Sequence, residues 1–234
     1  MLDYTVIDLE MTGLSARSDK IIEVGAVKVR GGQIADTYGT LVNPMRPIPV
    51  EVTRLTAITD EMAACGVHED EALERLIALI GADVIVGHNV GYDYSFLKQW
   101  AIDHRRPLEL FACDTLRLAR ALLPGELPKK LESLCEYFQI PRTNAHRALD
   151  DAVETHRIFE RLIPLAQEKS PELLVPKPLS YRAKRRTPAT MHQVQRLKEF
   201  CEKHNITDEI CWETLTRSEA SRLQDVYFRD YGRG

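Results

Sequence analysis

Asp8 and Glu10 stand two residues apart in the run Tyr4-Thr5-Val6-Ile7-Asp8-Leu9-Glu10, which is otherwise apolar, aromatic or β-branched. Strand alternation puts Tyr4, Val6, Asp8 and Glu10 on one face and Thr5, Ile7 and Leu9 on the other. Two carboxylates side by side at the end of an apolar strand repel each other and lose hydration, and a divalent cation is the simplest compensation. A strand end running into solvent would carry the same residues without one. Asp93 closes the segment Val86-Gly87-His88-Asn89-Val90-Gly91-Tyr92-Asp93, where a buried strand ends in a polar turn and the acid enters the first turn of a helix. Acids at that position also serve as helix-dipole partners, yet strand C-termini of open α/β sheets are where sites form. A third group is His146-Arg147-Ala148-Leu149-Asp150-Asp151. On the helix that follows, Ala148, Asp151, Ala152, Thr155, Phe159 and Leu162 form one stripe, and Asp150 falls with Glu154, Arg157 and Arg161 on a polar face. Asp150 is thus explained by solvent and local ion pairs, whereas Asp151 lies on the buried stripe. His146 is about 140° from Asp151 on a continuous helix, so it belongs at or before the helix start. Four carboxylates with few neutral donors favour Mg2+ or Mn2+ over zinc. Two such ions could clamp a phosphodiester, with a near-neutral histidine taking the proton of the attacking water.

The elements that must position these groups alternate along residues 1–168. Strands are expected at Thr5-Val6-Ile7 and Ile21 to Val29, and Gly31-Gly32 signals a hairpin into Ile34 to Val42. Leu73, Leu76, Ile77 and Ile80 share one face of a helix from about Glu69 to Ile80. Asp83 to Val86 and Leu110 to Cys113 read as short strands, and Tyr92 to Asp103, 114–123, 129–138 and 147–163 as helices. A hairpin meander followed by strands alternating with helices gives an α/β fold, a mixed sheet flanked by helices.

Charge changes sign along the chain. The whole carries 31 Lys+Arg against 35 Asp+Glu, net −4, but residues 1–168 are net −8 and residues 169–234 net +4. The change falls where Pro171, Pro176, Pro178 and Pro188 flank the cluster Arg182, Lys184, Arg185 and Arg186. Residues 169–188 therefore read as a Pro-rich basic linker, between a first domain at 1–168 and a small helical module at 189–234. In that module Val194, Leu197, Phe200 and Cys201 share a helical face, and Thr216 or Ser218 would cap a second helix. No signal peptide is expected from the acidic start, and no apolar run reaches the ~18 residues of a membrane span. Five cysteines without a CxxC pair argue for reduced thiols in the cytoplasm rather than a disulfide frame or zinc site.

Asp8-Leu9-Glu10-Met11-Thr12-Gly13, Gly87-His88-Asn89 with Asp93, and His146 with Asp151 resemble, in order and spacing, the three motifs of the DEDDh 3′–5′ exonucleases. The resemblance covers about residues 3–163. It is nearest to the branch formed by the proofreading epsilon subunits of bacterial DNA polymerase III and their stand-alone relatives. It implies an RNase H-like fold, a five-stranded mixed sheet with the second strand antiparallel to the rest. It also implies that Asp8, Glu10, Asp93 and Asp151 hold two ions of Mg2+ or Mn2+, that His146 is the general base, and that Met11, Thr12, Leu14, His88, Asn89 and Phe96 contact the strand end. The expected activity is removal of nucleotides from the 3′ end of single-stranded or frayed DNA. Met11 stands where epsilon-like proteins commonly carry Thr, so the first motif also resembles oligoribonucleases, and an exoribonuclease with the same chemistry is the alternative. A second alternative is a non-catalytic binding module for replication or repair, whose partner would meet the C-terminal module.

Overall fold

The computed structural model describes residues 3–142, 146–182, 187–207, 210–212 and 215–232, and divides after Tyr181 into two compact units. In the first, strands β1 (Tyr4–Met11), β2 (Ile21–Arg30) and β3 (Gln33–Leu41) form the expected meander. Gly31 and Gly32 both take positive φ, 57° and 77°, as a two-residue hairpin turn requires. Short helices α1 (Val50–Thr56) and α2 (Asp60–Ala64) precede α3 (Glu69–Ile80), β4 (Ile85–Gly87), α4 (Gly91–Asp103), β5 (Phe111–Asp114), α5 (Thr115–Leu122), α6 (Leu131–Phe138) and the long α7 (Ala148–Lys169). The sheet order is β3-β2-β1-β4-β5, with β1, β4 and β5 parallel and β2 antiparallel to both its neighbours. The five expected strands are present, and the two-residue β6 (Lys177–Pro178) adds a sixth along the edge of β5.

That strand moves the domain boundary. Residues 171–181, expected in the linker, belong to the first unit. Leu173 and Leu174 pack on one core cluster, Leu179 and Tyr181 on another, and Tyr181 donates its hydroxyl proton to Gln99 Oε1 at 2.9 Å. Four apolar side chains between the prolines suffice to dock the segment. Of the basic cluster, Lys184, Arg185 and Arg186 lie outside the described residues.

Two layers of helix cover the sheet. The face bearing Ile7 and Leu9 packs against Leu73, Leu76 and Ile80 of α3 and Leu97 and Trp100 of α4. The opposite face, bearing Tyr4 and Val6, packs against Phe159 and Leu162 of α7 and Leu118 of α5. Tyr4 pins α7 down by an edge-to-face contact with Phe159 and a 2.9 Å hydrogen bond between its hydroxyl and His156 Nδ1. Helix α7 continues past Pro164 to Lys169. The carbonyl that Pro164 leaves without a donor belongs to the exposed Glu160, within reach of water, while buried Leu162 and Ala166 hold both sides of the break.

The second unit comprises α8 (Met191–His204) and α9 (Arg217–Tyr231). Each begins with a capping box, Thr190 with Gln193 and Thr216 with Glu219. Leu197, Leu215, Ala220 and Tyr227 form its small core. No helix among the described residues is long and apolar enough to cross a membrane.

Candidate active site

Strand β4 pairs with β1 only at Thr5 and Val6, so on that side β1 runs on alone toward Asp8 and Glu10. The Leu9 amide there needs an acceptor, and Asp93 Oδ1, from the first turn of α4, takes it at 3.0 Å. One hydrogen bond thus ties the second acidic motif to the first. Helix α7 reaches the same end of the sheet from the other face. Glu23 of β2, opposite Glu10 in register, accepts both Nε (3.0 Å) and Nη2 (2.7 Å) of Arg147 through Oε1, and the Ala148 amide through Oε2 at 2.9 Å. A buried carboxylate therefore caps α7 and sets where its first turn, with Asp151, comes to rest.

Two glycines allow the approach. A Cβ on Gly25 would lie 2.1 Å from the carbonyl carbon of Ala148, and one on Gly39 would press 3.1 Å from Leu149 Cδ2. Backbone of α7 sits directly on backbone of β2 at Gly25.

Burial raises the pKa of all four acids, and the charges of the other acids in the cluster raise two of them further. Burial, then Asp93, Glu10, Asp151 and Glu23, hold the Asp8 carboxyl well above the usual range. Burial and the charges of Asp151, Glu23 and Asp93 push Glu10 up to about 8, against the opposing pull of Arg147. Burial lifts Asp93 to about 7 although the Leu9 amide and its own amide oppose it. Asp151 is raised by burial and held back by Arg142. Potential ligand atoms of Glu10, His146 and Asp151 lie within 4.8 Å of one another. His146 precedes α7 in a turn with φ +60°. A cluster of hard oxygen donors that resist sharing their negative charge fits a divalent cation of the Mg2+ or Mn2+ type.

The other expected contacts separate. Leu14 is 76% exposed and Asn89 is exposed with φ +65°, both free to meet a ligand. Met11 is half-buried against the core. Thr12 is buried, its hydroxyl accepting the Lys20 amide at 2.9 Å to close the loop after β1. Phe96 is 4% exposed inside the core, because its position on α4 faces the sheet. His88 has both ring nitrogens engaged, Nδ1 with Thr115 Oγ1 and Nε2 with the Lys129 carbonyl, each at 2.9 Å. It ties the β4–α4 turn to α5 and to the segment before α6, which leaves neither nitrogen for a strand end.

Spacing alone missed Glu23, Arg142, Arg147 and Glu154. Glu23 did carry a signal, as a charged residue among Ile21, Ile22, Val24, Ala26 and Val27 of an apolar strand. Glu154, placed on the polar face by helical period, is instead 2% exposed and paired with Arg142.

A family model described as an exonuclease, RNase_T, matches residues 5–159. The PolC-type DNA polymerase III of Clostridium perfringens is 39% identical over 158 residues, 68% of this chain and 11% of that protein. The PolC-type DNA polymerase III of Bacillus subtilis is 37% identical over 171 residues, 71% of this chain and 12% of that protein. The chain thus spans a small part of the length of these relatives. Among solved structures, Exonuclease X in complex with 5′ overhanging duplex DNA superposes with a TM-score of 0.57 at 25% identity, covering 73% of this chain and 98% of that one. The nuclease domain of 3′hExo, a DEDDh family member bound to rAMP, shares the fold at a TM-score of 0.59 and 16% identity, covering 77% and 97%. The match at residues 5–159 takes in β1, α4 and the first turns of α7, the three elements that deliver the acids, and the chain belongs to the RNase_T exonuclease family.

Proposed function

We propose that this chain is a two-metal-ion 3′–5′ exonuclease that removes nucleotides from the 3′ end of DNA, acting on single-stranded or frayed ends. The observation that carries the reading is the convergence of Asp8, Glu10, Asp93 and Asp151, from three separate elements, into a cluster in which burial raises every carboxyl and the neighbouring acids raise Asp8 and Glu10 further. Such a cluster destabilises the bare protein and gains its purpose from a cation. Asp8, Glu10, Asp93 and Asp151 would hold two ions of Mg2+ or Mn2+. When bound, these supply the Lewis acidity that activates water and stabilises the leaving 3′ oxygen. DNA is placed first because the PolC-type relatives are DNA polymerases and Exonuclease X is seen with duplex DNA.

Within that reading each group has a task. Leu14, exposed just past the acids, would lie against the terminal base. The exposed turn at Asn89 would meet its sugar or phosphate. His146, on a turn beside Glu10 and Asp151, would take the proton of the attacking water. The protein would work in the cytoplasm with its five cysteines outside any disulfide, and a replication or repair partner would dock on the C-terminal unit.

The test uses 5′-labelled single strands of DNA and RNA, side by side, with Mg2+, Mn2+ or EDTA. The expected result is a ladder shortening from the 3′ end of DNA, abolished by EDTA. Faster loss of RNA would favour the exoribonuclease alternative, and an intact strand in every lane would leave only a binding module. His146→Ala is expected to lower kcat by about 10²-fold or more while calorimetry finds Mn2+ affinity close to wild type. A large loss of Mn2+ binding would make His146 a ligand and remove it as the base.

A further inference from the structure

Arg142, in the segment after α6, spans two carboxylates of α7. Its Nη2 donates to Asp151 Oδ1 at 2.9 Å and its Nε to Glu154 Oε2 at 2.8 Å. Glu154 lies three residues beyond Asp151, one turn further into the protein. Its Oε2 also faces the Cys135 thiol at 3.7 Å, and its Oε1 is buried with no hydrogen-bond partner. A buried carboxylate with one oxygen unsatisfied is costly, and an apolar pair in place of Glu154 and Arg142 together would relieve that cost. Glu154 therefore serves something other than the stability of α7. What it holds is the guanidinium, whose rigid fork then reaches Asp151 from a fixed position.

We propose that Arg142, anchored by Glu154, is a positioning residue for the acid cluster: it holds Asp151 by one oxygen and sets a permanent positive charge beside the cation site. The inference rests on the metal reading given above. The charges of Asp93, Glu10, Asp151 and Glu23 all act on the Asp8 carboxyl, and the guanidinium groups of Arg142 and Arg147 are paired to two of these acids, Asp151 and Glu23. Arg147 is spent on capping α7. Arg142 stands on a proposed ligand itself. It therefore has two opposed effects, orienting Asp151 for turnover and weakening the attraction of the cluster for a cation. A residue that only supported the fold would have the first effect and not the second.

The experiment measures Mn2+ affinity by calorimetry and kcat on a 5′-labelled DNA strand for the full chain and three variants, R142Q, R142K and E154Q. R142Q removes the charge and is expected to bind Mn2+ about tenfold more tightly at low salt, while kcat falls about tenfold or more. R142K keeps the charge without the fork, so its Mn2+ affinity should return to near wild type with kcat still low. E154Q leaves Arg142 with a single charged partner and is expected to weaken Mn2+ binding. Opposite movements of affinity in R142Q and E154Q support the proposal. Mn2+ affinity unchanged or weaker in R142Q overturns it, and so does full kcat in both Arg142 variants. A wild-type chain that binds no Mn2+ would remove the metal reading, and this inference with it.

Discussion

Asp8→Asn, Glu10→Gln and Asp93→Asn are each expected to lower hydrolysis by about a thousandfold or more while making the metal-free protein more resistant to heat. Loss of activity follows from removing one of the few charges that would hold the cations. The gain in stability follows from the pKa values. An acid whose pKa is higher folded than unfolded favours folding when protonated, so its contribution is full below the unfolded value and declines as pH rises through the folded one. For Glu10 that window runs from the ordinary 4.5 to about 8, and for Asp93 from 3.8 to about 7. The metal-free wild type should therefore lose thermal stability between pH 5 and 7, within both windows, and the three amide variants should flatten that slope. Asp151→Asn should inactivate without the gain, because it also strips Arg142 of an ion pair. Asp150→Ala, one position away on the helix, should keep both activity and slope. Activity lost in Asp150→Ala and kept in Asp151→Asn would overturn the assignment of the helix faces. The readouts are thermal melts in EDTA across pH and initial rates with Mg2+.

Gly25→Val should be the most damaging change outside the acids. Its Cβ would meet the Ala148 carbonyl carbon at 2.1 Å and oxygen at 2.2 Å, with backbone rather than a movable side chain on the other side. The first turn of α7 must then lift away from β2 by more than an ångström. That breaks the fit at the Glu23 cap and displaces Asp151 and the His146 turn together. Overpacking of this kind costs about 1–3 kcal/mol or more, and a shift of about 1 Å in a reacting group can cost about 10²-fold in rate. Gly25→Ala should show the same lesion in milder form. Gly125→Ala, where no atom lies within 4 Å of the added carbon, is the control. Thermal melts and kcat on the same preparations decide it. Wild-type kcat in a folded Gly25→Val would show that contact with β2 is not what positions α7.

Legibility from the sequence followed locality. The alternation around Asp8 and Glu10, the Gly31-Gly32 turn and the apolar stripe of α3 depend on neighbours in the chain, and each element formed where its pattern placed it. Asp151 was separable from Asp150 because a helix of known pitch converts one residue into a change of face. Glu154 was misplaced by the same rule. Its burial depends on Arg142, which arrives from a separate segment and supplies the charge that lets an acid go inside. Phe96 and His88 were read toward the strand end from motif position, whereas packing against β1 and a pair of hydrogen bonds, to α5 and to the segment before α6, decided their direction. The β6 edge escaped because prolines signal extension, and extension serves a two-residue strand as well as a linker.

The most direct test of the central claim is a calorimetric titration of Mn2+ into the wild-type chain at pH 7, repeated in two buffers of different ionisation heat. If the raised carboxyls of Asp8, Glu10 and Asp93 are the cation site, binding must strip the protons they still carry at that pH, with a net release of about one proton or more. The share of that release due to Glu10 and Asp93 should shrink as pH rises to about 9, where both are largely ionised before the metal arrives. Binding with no proton release at pH 7, or DNA hydrolysis that persists in EDTA, would contradict it.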